Sequence, residues 1–147
     1  MISSSQNNEP IVDDADGAEI VLQTFDNEKE LSFCLLRTRA DAVYEYLVLG
    51  IRAGGKFVQA CGTFVVSLPQ MSDFIQGLLS EPASQLEDEN GRGSISITAE
   101  DSLGHFLVRI NMGGLEEDQA TISFATDQTA ISSLKEDLGR MLLSASS

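Results

Sequence analysis

Short segments in which apolar and polar residues alternate recur along most of this chain, and they constrain its fold more than any other feature. Alternation with a period of two is typical of strands that bury one face. Seven such segments lie between turn-forming residues: 19–25, 31–37, 43–53, 56–67, 94–100, 105–112 and 120–125. Two other stretches space their apolar residues three and four apart, which predicts helices over 69–79 and 128–143.

The order of these elements predicts an α+β protein with a curved antiparallel sheet of about six to seven strands and two helices packed on one face. Gly54-Gly55 lies between two long strands, where it favours a tight hairpin turn. The segment from Ala83 to Gly93 holds carboxylates and turn-forming residues, so we expect an exposed loop. Thr126 or Asp127 is suited to cap the last helix, because a short side-chain oxygen accepts hydrogen bonds from the first amides.

Length and composition favour one domain with a tail before it. The 147 residues lie within the usual size of a single domain. Residues 1–17 are polar and acidic with little apolar content, so we expect a flexible tail followed by one domain over 18–144. No apolar run reaches the roughly 18 residues of a membrane-spanning helix, and the first residues lack the pattern of a secretory signal. These features predict a cytoplasmic protein that does not associate with membranes.

Acidic residues outnumber basic residues by 23 to 9, and the formal net charge is −14. Such a chain repels the phosphates of nucleic acids and anionic membrane surfaces, so neither is expected as a partner. Two interpretations of the acidity stay open. It can serve solubility alone, or it can attract a basic protein partner.

The residue types that carry catalysis are sparse. His105 is the one histidine, and its place at the start of a predicted strand favours an edge or surface position over a catalytic one. Gly113-Gly114 lacks the Lys and Ser or Thr of a phosphate-binding loop, and Asp13 to Gly17 matches only part of a calcium loop. We therefore expect no enzyme activity, no cofactor and no metal.

The two cysteines, Cys34 and Cys61, each lie in an apolar strand-like segment without a CxxC motif. This placement is typical of buried, reduced thiols. A disulfide between them would need the fold to bring two separate strands together.

Two strand-to-helix junctions carry a resemblance to a known family. The segment Ile122-Ser123-Phe124-Ala125-Thr126-Asp127-Gln128-Thr129 enters the last helix through a Thr-Asp-Gln cap, and Gly62-Thr63-Phe64-Val65-Val66-Ser67-Leu68-Pro69 enters the earlier helix. With the order of elements over about residues 20–143, these segments resemble the WapI-type immunity proteins of bacterial contact-dependent and polymorphic toxin systems. The resemblance implies a small antidote that binds a toxin domain, often a nuclease, and blocks its active site. It implies no catalytic residues.

The function predicted from the sequence is that of a non-catalytic, acidic binding protein, in particular an immunity protein that neutralises a basic toxin domain. The alternative is a general interaction or chaperone-like adaptor, which would use an apolar patch or a sheet edge. Carboxylates on predicted loops are the expected contacts with a basic partner. They are Glu87, Asp88, Glu89, Glu116, Glu117 and Asp118. Tyr44 and Tyr46, on one strand face with Val48, are expected to anchor a partner if they are exposed.

Overall fold

The computed structural model describes residues 19–24, 28–113 and 119–145, in which eight strands and two helices are present. The predicted tail over 1–17 lies outside these residues. The first sheet, in the order β1-β2-β3-β4, comprises Ile20–Gln23, Lys29–Ala40, Glu45–Gly55 and Gln59–Ser67. The second, in the order β5-β6-β7-β8, comprises Ala83–Glu87, Gly93–Ala99, His105–Met112 and Ala120–Asp127. Helix α1 spans Leu68–Gly77, and helix α2 spans Gln128–Ala145.

The structure thus has the predicted α+β class with antiparallel strands, but the strands form two four-stranded sheets and not a single sheet. Each sheet is a meander whose last strand continues directly into a helix, so the same unit occurs twice. Ser67 caps α1 by accepting a hydrogen bond from the Gln70 amide at 3.3 Å. Asp127 accepts one from the Ala130 amide at 2.8 Å, as predicted for the last helix.

A single apolar cluster connects the inner faces of both sheets with both helices. The apolar alternation of the strands and the three-to-four spacing of the helices each direct one face into this cluster. Its members include Phe33, Leu49, Phe64, Met71, Phe74, Val108, Phe124 and Leu134. Burying each Leu or Phe contributes on the order of 1.5–3 kcal/mol, so the cluster holds the two units together. Neither helix within the described residues is long and apolar enough to cross a membrane.

Hydrogen bonds also join the two sheets at both of their margins. On one side, the Val65 amide of β4 donates to Asp88 Oδ1 at 2.7 Å, and the Glu89 amide donates to the Val65 carbonyl at 2.8 Å. On the other side, the Thr126 hydroxyl donates to the Gln23 carbonyl at 2.9 Å. The two sheets are therefore linked on both sides, although their ladders are separate.

Two local predictions are wrong. Ala83–Glu87 is strand β5 and not a loop. Its buried positions are Ser84 and Leu86, so a polar residue occupies one of the two places where an apolar residue would have revealed the alternation.

The β3–β4 hairpin is present, but its turn is displaced from the predicted position. Gly54 and Gly55 belong to β3, and the Gly55 amide donates to the Val58 carbonyl at 2.8 Å, so Lys56 and Phe57 form the turn. Gly54 has a φ of 146°, and a Cβ there would lie 2.2 Å from the Val58 carbonyl oxygen. The glycine is therefore needed for close approach beside the turn and not for the turn itself.

Candidate interaction surface

The tip of the β2–β3 hairpin, residues 36–46, contains the longest run of exposed residues in the first sheet. Strand β1 pairs with β2 only as far as Phe33, and β4 pairs with β3 only as far as Tyr46. A register shift between Leu35 and Arg37 marks a β-bulge that bends β2 at the base of the tip. Every side chain from residue 36 to residue 45 is exposed.

Asp41 stabilises the turn at the tip through hydrogen bonds to the backbone. Its Oδ1 accepts hydrogen bonds from the amides of Val43 and Tyr44, both at 2.8 Å, and its own amide donates to the Tyr44 carbonyl at 2.9 Å. These amide donors, that of Tyr44 first and then that of Val43, hold the pKa of the Asp41 carboxyl below its ordinary value. The turn is thus internally bonded, and its exposed side chains start from a defined backbone.

Two tyrosines and an arginine form a cluster on the tip. The Tyr44 and Tyr46 rings meet edge to face with centroids 6.3 Å apart, and the Arg39 guanidinium lies 5.5 Å from the Tyr46 centroid. Burial raises the pKa of the Tyr46 hydroxyl, and the negative charge of Asp41 adds to this effect. Tyr44 remains 49% exposed and Val43 75% exposed. Fixed aromatic rings with a large exposed area are the residue type that dominates binding energy at protein interfaces.

Apolar side chains continue from the tip onto the outer face of the first sheet. Tyr46, Val48 and Gly50 point outward, since they alternate with core residues of β3. The Leu36 side chain lies over Gly50 and is 48% exposed. Val48 and Val65 are paired across the ladder and buried, yet they do not belong to the main core cluster. We define the hairpin surface as Leu36, Arg39, Val43, Tyr44 and Tyr46.

The three carboxylates of the first predicted acidic group, Glu87, Asp88 and Glu89, differ in their exposure. Glu87 and Glu89 are exposed, and the charge of Glu89 contributes to the raised pKa of Tyr46. Asp88 is only 5% exposed, and its two oxygens accept hydrogen bonds from the amides of Val65 and Arg92. The expectation of an exposed carboxylate is therefore wrong for Asp88. It folds back because a carboxylate at that point satisfies two backbone donors.

The second group, Glu116, Glu117 and Asp118, lies outside the described residues. Of the two predicted tyrosines, Tyr46 shares a face with Val48 as expected, whereas Tyr44 belongs to the turn that precedes β3. Leu36, Arg39 and Val43 also belong to this surface and were not predicted from the sequence. The turn-forming Asp41, which lies several residues beyond the predicted end of the strand, is the signal that extends the hairpin to include them.

The lone histidine forms an exposed ion pair at the β6–β7 turn. His105 Nδ1 lies 2.8 Å from Asp101 Oδ2, and Asp101 Oδ1 accepts the Leu103 amide at 2.8 Å. The hydrogen bond and charge of Asp101 raise the pKa of His105, and the same hydrogen bond lowers the pKa of Asp101. These contacts stabilise an exposed turn. His105 therefore lies at the surface, as predicted from the sequence.

Potential metal ligands and the two cysteines complete the candidate chemical groups. In the three described segments, no group of three or more His, Cys, Asp or Glu residues is placed to hold a metal ion. Cys34 lies on β2 and Cys61 on β4, with β3 between them, and both are thiols. Cys61 is exposed, which differs from the buried position expected for it.

Neither protein-family models nor curated protein sequences match this chain. The resemblance to immunity proteins therefore stays a prediction.

Proposed function

We propose that this chain is a non-catalytic binding protein of the cytoplasm that works by covering the surface of a partner protein. The observation that supports this most directly is the hairpin surface. It combines two packed tyrosines, an arginine and exposed aliphatic side chains on a turn held by its own hydrogen bonds. Exposed apolar and aromatic side chains on a fixed turn are typical of protein interaction sites.

The proposed partner is a basic protein domain, in keeping with the immunity proteins that this chain resembles. Carboxylates border the hairpin surface, since the charges of Asp41 and Glu89 both act on Tyr46. The formal net charge of −14 adds long-range attraction for a basic partner. In this arrangement the tyrosines anchor the partner, and the surrounding carboxylates guide its approach. A nuclease toxin domain, with a basic groove for phosphates, has the required chemistry.

A second candidate is a general adaptor that binds through apolar contacts alone. The exposed side chains of Leu36 and Val43 favour this alternative, because apolar association does not depend on opposite charges. Salt dependence separates the two. The Debye length falls from about 10 Å at about 0.1 M salt to about 3 Å at about 1 M, so charge-guided binding weakens and apolar binding persists.

The test is affinity capture from the native host with the tagged full chain, at both salt concentrations, followed by mass spectrometry and titration of the recovered partner. The double variant Tyr44→Ala/Tyr46→Ala is expected to lose at least about tenfold in affinity. Leu103→Ser is the matched control, because Leu103 is 80% exposed at the β6–β7 turn, away from the hairpin surface. If the double variant and the control bind the recovered partner with equal affinity, the hairpin surface is not the binding site. Binding unchanged at high salt would favour the adaptor.

A further inference from the structure

The chain enters the first sheet beside the hairpin tip. Its first described residue, Glu19, is held on the outer face of this sheet. The Glu19 carboxylate accepts a hydrogen bond from the Ser32 hydroxyl at 3.2 Å and lies 2.7 Å from Arg52 Nη2. Strand β1 then runs antiparallel to β2, beginning with Ile20 opposite Phe33. The N-terminal end of β1 therefore faces the part of β2 that continues into the hairpin tip.

That part of β2 carries two exposed arginines. Arg37 is paired with Val48 and Arg39 with Tyr46, so both side chains project from the outer face of the sheet. In the described part of the chain neither arginine forms a salt bridge. The register of Glu45 places its side chain on the opposite face. The flank of the hairpin tip along β2 is therefore locally positive, although the net charge of the chain is −14.

The sequence that precedes Glu19 has the complementary charge. Residues 9–17, which we call the acidic segment, read Glu-Pro-Ile-Val-Asp-Asp-Ala-Asp-Gly and contain four carboxylates and one apolar pair. Lys29 is the first basic residue of the sequence, so no cation within the acidic segment can pair with these carboxylates. Complementary charges on two surfaces favour their association. The acidic segment therefore matches the flank that carries the two arginines.

The register of β1 and β2 brings the matching charges to the same level. Asp16 lies four residues before the Ile20–Phe33 pair on one side, and Arg37 lies four residues after it on the other. Asp14 and Arg39 are each six residues from the same pair. Because any extended chain advances about 3.3–3.6 Å per residue, the two carboxylates are within reach of the two guanidinium groups.

The apolar pair of the acidic segment, Ile11-Val12, reaches the turn of the hairpin by the same count. It is level with residues 41–42, beside Val43 and Tyr44, which are 75% and 49% exposed. The β-bulge at the base of the tip disrupts a regular ladder along β2, so the expected contacts are between side chains. Charge thus faces charge and apolar surface faces apolar surface along one line.

We propose that the acidic segment of this chain lies against the arginine-bearing flank of β2 and covers the hairpin surface until a basic partner displaces it. Asp14 and Asp16 pair with the two arginines, and the apolar pair lies over Val43 and Tyr44. This inference rests on the proposed function, since it makes the acidic segment a regulator of the same surface. An arriving basic partner also attracts the carboxylates that it releases, which favours displacement.

Attachment to the same chain favours this occupant over an acidic segment of another protein. Only Gly17 and Ala18 separate Asp16 from Glu19, which is anchored on the sheet. So short a connection gives an effective concentration on the order of millimolar at the flank. Exposed ion pairs are individually weak, so a separate peptide with the same contacts would bind only at comparable concentrations. The same weakness makes the cover reversible.

The first measurement is acrylamide quenching of tyrosine fluorescence in the full chain. Both tyrosines lie on the hairpin tip and the sequence has no tryptophan, so the emission reports on the hairpin surface. The triple variant Asp13→Asn/Asp14→Asn/Asp16→Asn is expected to raise the quenching constant about twofold, as for release of a cover that is closed about half of the time.

The matched control removes three exposed carboxylates elsewhere, in Asp73→Asn/Glu81→Gln/Glu100→Gln, and should leave quenching unchanged. Equal quenching of the parent and the triple variant, or an equal rise in the control, would overturn the proposal.

The second measurement is energy transfer from the tyrosines to a single tryptophan introduced by Ile11→Trp. Transfer is expected in the full chain and should decrease in about 1 M salt, where the Debye length is about 3 Å. Ile2→Trp is the matched control, because it lies outside the acidic segment and should show less transfer. Equal transfer from both positions would contradict the cover. Transfer that falls as the protein is diluted would assign the contact to a second copy and overturn the intramolecular arrangement.

Exchange of the two charge partners completes the test. In the Ile11→Trp chain, Arg37→Glu/Arg39→Glu is expected to reduce transfer, and adding Asp14→Arg/Asp16→Arg should restore it, because the opposite charges then face each other in reverse. Failure to restore transfer would show that these residues do not pair.

All of these measurements use the chain alone, so they are independent of any partner. A recovered partner that binds without Tyr44 and Tyr46 would contradict the proposed function and leave the cover intact. A partner that needs both tyrosines, with equal quenching of the parent and the triple variant, would contradict the cover alone.

Discussion

Asp88 shows how one side chain can change role with its surroundings. Placed between Glu87 and Glu89 in an acidic segment, it looks like a surface charge in the sequence. In the structure it is buried, and it bridges the edge of β4 to the turn after β5 through the Val65 and Arg92 amides. Its carboxylate therefore serves the fold, and only its two neighbours are exposed for contact with a partner.

Replacing Asp88 is accordingly expected to destabilise the protein. Asp88→Ala leaves two amide donors without an acceptor, which should lower the free energy of unfolding by about 3 kcal/mol. Asp88→Asn keeps one acceptor oxygen and should lower it by about 1 kcal/mol. Glu89→Ala is the matched surface control, with an expected change within about 0.5 kcal/mol. Urea unfolding measures all three, and an Asp88→Ala variant as stable as the Glu89→Ala control would refute the bridging role.

The charge state of His105 depends first on Asp101, and the negative charges of Glu100 and Asp127 add to its effect. Because Asp101 raises its pKa, the pair stabilises the fold fully below the ordinary pKa of histidine, and this contribution is lost as pH rises through the raised value. The lowered pKa of Asp101 sets the acid limit, since that contribution is lost as pH falls through the lowered value. An NMR titration of the imidazole is expected to show a pKa above the ordinary value in the parent chain and a return toward it in Asp101→Asn. Identical titration curves would mean that the ion pair does not form in solution.

At the scale of elements, the β3–β4 hairpin shows that a glycine pair can mark a close approach and not a turn. Gly54 has a φ of 146° and leaves no room for a Cβ beside the Val58 carbonyl oxygen, whereas the turn itself forms over Lys56 and Phe57. A Gly-Gly dipeptide between two strands predicts that a hairpin exists better than it predicts where the hairpin turns.

The Gly54→Ala substitution is expected to cost about 3 kcal/mol or more, because its Cβ would lie 2.2 Å from a backbone oxygen that cannot move away. Gly91→Ala is the matched control. Gly91 also has a positive φ, of 71°, but a Cβ there meets nothing within 4 Å, so the cost should be only about 1–2 kcal/mol. Chemical denaturation of the two variants compares them directly. Equal losses would show that backbone strain, and not the contact with Val58, determines the need for glycine.

For the whole molecule, patterns that repeat locally could be predicted and contacts between distant residues could not. Alternation revealed every strand except β5, and helical spacing revealed both helices with ends within about two residues of those observed. The division into two sheets depends on which strands pair, and the joints between Val65 and Asp88 and between Gln23 and Thr126 connect distant positions. The hairpin surface was found in part, because Tyr44 and Tyr46 are conspicuous in sequence whereas the exposure of Leu36 depends on a bulge.

The hairpin tip also bears on how such a protein can evolve. Its residues from Leu36 to Glu45 are exposed and make no part of the core cluster, so their sequence can change without loss of the packing that keeps the chain folded. Asp41 preserves the turn through backbone amides, which any neighbouring residues except proline supply. Substitutions at Val43 and Tyr44 could therefore redirect recognition from one partner to another in single steps, and a lineage carrying this fold could diversify its specificity while its stability stayed constant.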